Sequence, residues 1–155
     1  MSRFERGLRR AFFAALVSLL LWPLLSVAAA LWPGLRPLER TVAYWFDLHC
    51  HRDPSRTPLL LGIPLGVCAR CSGIYFGLGL GAALRWPKLS PNGLRFWVLG
   101  GAALMLADIA VERHGVHGSW MGARLFTGLL LAYPVGVAVG VALRRSNDLA
   151  SVQRP

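Results

Sequence analysis

The stretch that decides the fold runs from Cys68 to Leu84 and reads CARCSGIYFGLGLGAAL. It begins with a Cys-x-x-Cys pair and continues as an apolar segment in which Gly73, Gly77 and Gly81 recur every four residues. Residues at that spacing lie on one face of a helix, and small residues there let two helices approach closely in lipid. We therefore expect a membrane-embedded helix that carries cysteines at one end.

The composition of the whole chain favours the same environment. Of 155 residues, 55% are hydrophobic and only 15% are charged, which is too little polar surface for a water-soluble globule of this size. We predict an all-α fold, a four-helix transmembrane bundle that forms a single integral membrane domain over residues 1–155. Its spans are the four segments that approach the roughly 20 apolar residues a crossing needs, at 11–31, 67–84, 94–111 and 120–143.

The first two predicted spans are joined by a long outer loop. Leu38, Val42 and Trp45 recur within it at helical spacing, which predicts a short amphipathic helix lying on the membrane surface. Trp45, Tyr75 and Trp120 are typical of aromatic anchors at the membrane interface. The loop therefore brings its C-terminal half, with His51 and its neighbours, to the water edge of the bundle.

The N-terminal segment has two interpretations. A basic start, an apolar run and the small residues Ala28 to Ala30 also occur in secretory signals with a cleavage site. The apolar run of about 20 residues exceeds the 7 to 15 typical of a signal core, so we predict an uncleaved anchor. A purified protein that retains Met1 or Ser2 is expected, whereas a start near Leu31 would remove the first span.

The net charge of +10 is explained by the membrane rather than by nucleic acid, because the 17 Lys and Arg residues lie mostly beside predicted span boundaries. Ten of the 17 fall on the side of the two termini and seven on the other side. This predicts an inner (plasma) membrane protein with both termini in the cytoplasm and the cysteines on the outer face. The lipid bilayer is the expected partner, and the glycine-lined faces leave room for a membrane-protein partner or a homo-oligomer.

All three cysteines fall near this outer loop, and they suggest a metal site. Cys50, Cys68 and Cys71, with the imidazole of His51, supply three sulfurs and one nitrogen, a set suited to tetrahedral zinc. The sulfur count disfavours metals that prefer carboxylates, while other thiophilic metals such as copper(I) or iron in a cluster remain open. Zinc in a structural site is the first hypothesis.

Two alternatives compete with a metal. Cys68 and Cys71 would support thiol–disulfide redox chemistry if the pKa of one thiol were lowered. Arg70, which lies between the two cysteines, and the N-terminus of the helix would both lower it. The same pair would otherwise form a static disulfide or pack as small apolar residues. The sequence does not decide whether the protein is an enzyme.

Charged residues inside the predicted spans point to the same end of the bundle. Asp108 lies near the outer end of the third span, where a carboxylate is costly unless it is paired, and Arg124 at the start of the fourth is the expected partner. The pair would lock two helices together, relay protons, or bind an anion next to the cysteines. Glu112, His114 and His117 are a candidate second metal site, but we favour hydrated histidines, because single histidines near headgroups are more often hydrated than metal-bound.

Together these residues resemble the domain of unknown function 2085 family of small bacterial membrane proteins. The motif residues in this sequence are Cys50-His51, Cys68-Ala69-Arg70-Cys71-Ser72-Gly73-Ile74-Tyr75, Asp108, Ser119, Arg124 and Thr127-Gly128. Arg52 and Glu112 stand where the family has Gln, and Ser72 stands where it usually has Thr. The resemblance covers roughly residues 50 to 128, and it implies a fold and a site but no reaction.

Overall fold

The computed structural model describes residues 3–115 and 120–152, and the chain is mostly helical. The elements in chain order are α1 (Arg3–Ser18), α2 (Leu25–Leu31), α3 (Arg36–Asp47), β1 (Leu59–Leu60), β2 (Ile63–Pro64), α4 (Ala69–Leu84), α5 (Pro91–Arg113) and α6 (Met121–Val152). Short 3₁₀ turns at Trp22–Leu24, Pro33–Leu35 and Pro54–Arg56 join them. The small hairpin formed by β1 and β2 is a departure from the all-α prediction.

The first predicted span is broken in the middle. α1 ends at Ser18, and after a 3₁₀ turn the chain continues as α2 with a bend of 48°. Pro23 lies at this break, where a ring without an amide hydrogen cannot continue the helical hydrogen bonds. The buried Pro23 offers its carbonyl to the amide of Gly66 at 3.0 Å, which attaches the break to the outer loop. Residues 11–31 therefore do not form the continuous helix that we expected.

Among the residues that the structure describes, two helices are long and apolar enough to cross a membrane, namely α5 and the Met121–Arg144 part of α6. A third crossing exists if α1 and α2 count as one bent span. The 16 residues of α4 extend about 24 Å, less than the roughly 30 Å of a hydrocarbon core. The structure thus supports two or three spans, and a crossing by α4 remains a prediction.

Glycines hold α4 and α6 in close contact. A Cβ built on Gly73 would lie 2.1 Å from the carbonyl oxygen of Leu125, and one on Gly77 would lie 2.6 Å from that of Leu129. The contact is reciprocal, because a Cβ on Gly136 would lie 2.3 Å from a carbonyl oxygen of α4. The predicted glycine-lined helix contact is confirmed, and no larger residue fits there without separating the backbones.

The residues that meet across this contact also show the relative direction of α4 and α6. Gly128 approaches Arg70, and Gly140 approaches Ala82, so α4 and α6 run parallel. The N-terminus of α6 therefore lies at the end of α4 that carries the cysteines.

The first helix runs in the opposite direction. The guanidinium of Arg85, after the end of α4, lies 5.6 Å from the ring centroid of Phe13, whereas Leu20 contacts Gly79 nearer the middle of α4. The start of α1 and the later part of α6 are consequently both at the end remote from the cysteines.

The predicted surface helix in the outer loop corresponds to α3. Leu38 and Trp45 on this helix are 53% and 51% exposed, while Phe46 is almost fully buried. The helix thus packs one side against the bundle and offers apolar side chains on another, as an interfacial helix does.

The hairpin lies in the same loop and also exposes apolar residues. Its strands pair Leu59 with Pro64, and the two turn residues, Leu61 and Gly62, have φ of 54° and 76°. Two turn residues with positive φ are typical of the type I′ turn that suits a two-residue hairpin. Leu61 at the tip is 76% exposed.

Candidate metal centre

The structure brings the three cysteines of the chain together. The Sγ atoms of Cys50, Cys68 and Cys71 all lie within 4.8 Å of one another, and the three residues are free thiols. Three sulfurs on a tetrahedral zinc ion with bonds of about 2.3 Å would be about 3.8 Å apart. The cluster therefore needs only a small contraction to bind one ion.

The local backbone structure positions each of the three cysteines. Cys50 follows α3, and its amide donates to the carbonyl of Phe46 at 2.8 Å, which closes the last turn of that helix. Cys68 is the N-cap of α4 with extended backbone angles, and Cys71 follows in the first turn. The amide of Cys68 donates to Sγ of Cys50 at 3.4 Å, so the loop and the helix meet at the cluster.

The neighbouring cysteines shift the pKa of the Cys50 thiol. Hydrogen bonds from the side chains of Cys68 and Cys71, with a contribution from the Cys68 amide, lower the pKa of the Cys50 thiol well below its usual range, although burial acts in the opposite direction. Cys50 is only 5% exposed. A thiol with a lowered pKa is suited to the thiolate form, which is the form that binds metals.

The histidines near the cluster have different positions. His51 is exposed and lines the same cavity as the cysteines, but it is not part of the group of close donor atoms. His49 instead places Nε2 2.6 Å from the hydroxyl of Tyr75. Tyr75 is buried beside Phe46 rather than exposed as the interfacial anchor we predicted, because its ring completes the small core under the cluster.

A second cluster of charged residues joins three helices at the same end. Arg70 of α4 donates through Nη2 to Asp108 at 2.6 Å and to Glu112 at 3.1 Å, both on α5. Arg124 of α6 donates to both carboxylate oxygens of Glu112. These four side chains, the arginine–carboxylate cluster, are at most 17% exposed.

The pairing differs from the sequence-based expectation. We predicted that Asp108 would bind Arg124, but Asp108 binds Arg70 and Arg124 binds Glu112. Asp108 and Glu112 are four residues apart and so lie on one face of α5, one turn apart, where both reach Arg70 of α4 and Glu112 also reaches Arg124 of α6. This spacing was the signal that could have identified Glu112 as an ion-pair residue.

A cavity of about 270 Å³ connects the two clusters. All three cysteines line it, together with four arginines, namely Arg52, Arg56, Arg70 and Arg124. Asp53 is the only carboxylate on its wall in the part of the chain that the structure describes. Hydrogen bonds from the hydroxyl and amide of Ser55 lower the pKa of the Asp53 carboxyl. Cysteines and arginines therefore make up most of the residues that line the cavity.

Comparison with known proteins identifies the family of the chain. The family model described as "Predicted membrane protein (DUF2085)" matches residues 50–138, which is more than half of the chain. The chain belongs to the DUF2085 family. It is also 26% identical over 145 residues to the uncharacterized protein MJ1492 of Methanocaldococcus jannaschii, covering 83% of this chain and 89% of the relative. No solved structure matches the chain.

The DUF2085 match begins at Cys50 and extends into α6, so it includes both clusters and the glycine contact between α4 and α6. The helices α1 to α3 lie before it. The resemblance that the sequence motifs suggested is thus confirmed. The family description states a membrane protein and no activity, so the chemistry of the site depends on its geometry.

The candidate second metal site has little support in the described residues. Glu112 is engaged by two arginines, and His114 is exposed after the end of α5. His117 and the motif residue Ser119 lie outside the residues that the structure describes. Among the described residues, the close donor group that would suit a metal consists of the three cysteines.

Proposed function

We propose that this chain is an integral membrane protein that holds one thiophilic metal ion, most simply zinc, on Cys50, Cys68 and Cys71. The observation that supports the proposal is the convergence of three sulfurs within 4.8 Å, although Cys50 is separated from the other two by a long irregular loop. Zinc and other thiophilic metals prefer such thiolate sets. His51, the predicted fourth ligand, remains a hypothesis because its ring would have to move to join the three sulfurs.

The role of the metal would be to fasten the outer loop to the helices. Residues 51 to 67 contain three prolines and only a two-residue strand pair, so their backbone contributes few regular hydrogen bonds. A metal bound by Cys50 before this loop and by Cys68 and Cys71 after it would close the loop and stabilise it. The protein would then act as a structural module or as a subunit of a membrane complex.

The proposed placement in the membrane has the termini in the cytoplasm and the metal site at the outer edge of the inner membrane. The excess of basic residues on the side of the termini supports this orientation. Within α5, all of which the structure describes, Gly101 is the only buried residue, so its apolar side chains are available to lipid or to a membrane partner. A fluorescent protein fused to the C-terminus, which folds in the cytoplasm but not after export through the general secretion route, tests the orientation.

The direct test is paired quantification of metal and free thiols in protein purified in detergent without chelators. We expect about one metal per chain in the wild type and a large loss in Cys68→Ser. His114→Ala is a matched control, since His114 is exposed and lies at the same end of the bundle. Metal-free wild-type protein, or equal metal in Cys68→Ser, would refute the metal site.

Thiol–disulfide exchange is the second candidate function. Three thiols in mutual reach provide a pair that can exchange with a substrate disulfide and a third sulfur that can resolve a mixed disulfide. The same thiol quantification separates the two functions. A metal-free protein in which two of three thiols are consumed by a disulfide would favour exchange.

A further inference from the structure

The three-cysteine cluster leaves one position of a tetrahedral metal without a sulfur ligand. In the residues that the structure describes, neither a histidine nor a carboxylate joins the three sulfurs as a fourth close donor. Zinc sites with three protein ligands bind water or a substrate in the fourth position, whereas structural sites are closed by four. The cavity of about 270 Å³ is lined by all three cysteines, so an exogenous ligand has space beside the sulfurs.

Arginine side chains on the wall of this cavity carry positive charge, and carboxylates outside the cavity orient two of them. Arg70 and Arg124 line the cavity, whereas their carboxylate partners Asp108 and Glu112 do not. The carboxylates therefore orient the two guanidinium groups without filling the cavity. Arg70 also has spare donor capacity, because its Nε is buried and has no hydrogen-bond partner among the described residues.

Two further arginines complete this wall from the loop. Arg52 and Arg56 line the cavity and form ion pairs with Asp47 and Asp53, at 3.1 and 3.3 Å. Each guanidinium carries five N–H donors, so a single carboxylate contact leaves several free. Planar guanidinium groups are the side chains best matched to carboxylate and phosphate oxygens.

We propose that the metal site binds a small oxyanion, with one oxygen on the metal and the others accepting hydrogen bonds from the arginines of the cavity. This inference rests on the proposed metal site and specifies its ligand class. A dissolved phosphate and the phosphate of a lipid headgroup share this chemistry, so the experiment distinguishes the two sources. The site would then be an open one that handles a ligand rather than a closed structural one.

Cobalt(II) substitution tests the proposal, because cobalt bound to thiolates has charge-transfer bands and its ligand-field bands respond to the fourth ligand. The protein is loaded with cobalt in a maltoside detergent and titrated with inorganic phosphate. We expect a saturable change in the ligand-field bands. The double variant Arg52→Gln, Arg56→Gln should weaken the phosphate affinity about tenfold or more, as expected for lost charge-assisted hydrogen bonds.

The control pair is Arg36→Gln, Arg40→Gln, which removes the same charge from α3 away from the cavity and should leave the titration unchanged. His51→Ala should also keep the phosphate response, because the proposed oxyanion site does not use His51 as a metal ligand. A second arm compares cobalt protein in phosphatidylglycerol and phosphatidylcholine nanodiscs without added phosphate. Changed bands in the anionic lipid alone identify a headgroup as the source, and a response to dissolved phosphate alone identifies a soluble anion.

The outcomes separate this inference from the metal site itself. Charge-transfer bands with ligand-field bands that respond to neither source would overturn the oxyanion site and leave the metal site intact. A response seen only after His51→Ala would also overturn it, because His51 would then close the site in the wild type. Absence of the charge-transfer bands would overturn both proposals.

Discussion

Replacing Gly73 with alanine tests the contact that holds α4 against α6. The new Cβ would lie 2.1 Å from the carbonyl oxygen of Leu125 and 2.9 Å from the amide nitrogen of Leu129. Ordinary contact begins near 3.4 Å, so the two helices must separate by about 1.3 Å or tilt. Both opposing atoms belong to the backbone and cannot rotate away.

The expected cost follows from overpacking. Extra methyl groups in a tightly packed contact typically cost about 1 to 3 kcal/mol. Because the opposing backbone is rigid, we expect Gly73→Ala to destabilise the protein by about 3 kcal/mol. Gly100→Ala is the matched control, because a Cβ on this exposed position of α5 meets nothing within 4 Å. Its effect should stay within about 1 kcal/mol, the difference in helix preference between glycine and alanine.

Unfolding of both variants can be followed by circular dichroism while sodium dodecyl sulfate is added to dodecyl maltoside micelles. Gly73→Ala should unfold at a distinctly lower mole fraction of dodecyl sulfate than the wild type, and Gly100→Ala at nearly the same one. Equal midpoints for the two variants would refute the close contact between α4 and α6.

Three more predictions concern the charged and polar groups near the site. Asp108→Ala should cost about 1.5 to 3 kcal/mol in the same unfolding assay, because it removes the shorter of the two charged contacts of Arg70 and leaves Arg70 to share Glu112 with Arg124. Asp47→Ala, at an exposed ion pair, should cost less than about 1 kcal/mol, and equal losses would contradict the buried cluster. Tyr75→Phe should cost about 0.5 to 1.5 kcal/mol through the lost hydrogen bond to His49, and an unchanged midpoint would show that this bond contributes nothing. Metal retained after gel filtration should fall as the pH is lowered, because protons compete with the metal for three thiolates; retention that does not depend on pH would argue against thiolate ligands.

Much of the site could be predicted because its signals are local. The spacing of Gly73, Gly77 and Gly81 determines one helix face, and that face forms the contact with α6. The Cys68 and Cys71 spacing places both thiols at the start of that helix, and the family motif connected them with Cys50. The helix α3 followed from apolar residues at helical spacing.

Other features depend on tertiary contacts that spacing does not encode. Residues 11–31 were predicted as one span, whereas the structure breaks this segment at Pro23 and uses the Pro23 carbonyl to bind the outer loop. The partner of Asp108 was assigned to Arg124 because both flank one short connection, yet the parallel packing of α4 and α6 brings Arg70 closer. The hydrogen bond between His49 and Tyr75 has no sequence signal of its own.

X-ray absorption at the metal edge tests the central claim most directly, applied to purified wild-type protein and Cys50→Ser. The account predicts three sulfurs at about 2.3 Å and one lighter ligand in the wild type, and two sulfurs in the variant or loss of the metal. Protein without stoichiometric metal, or a sulfur count that Cys50→Ser leaves unchanged, would contradict it.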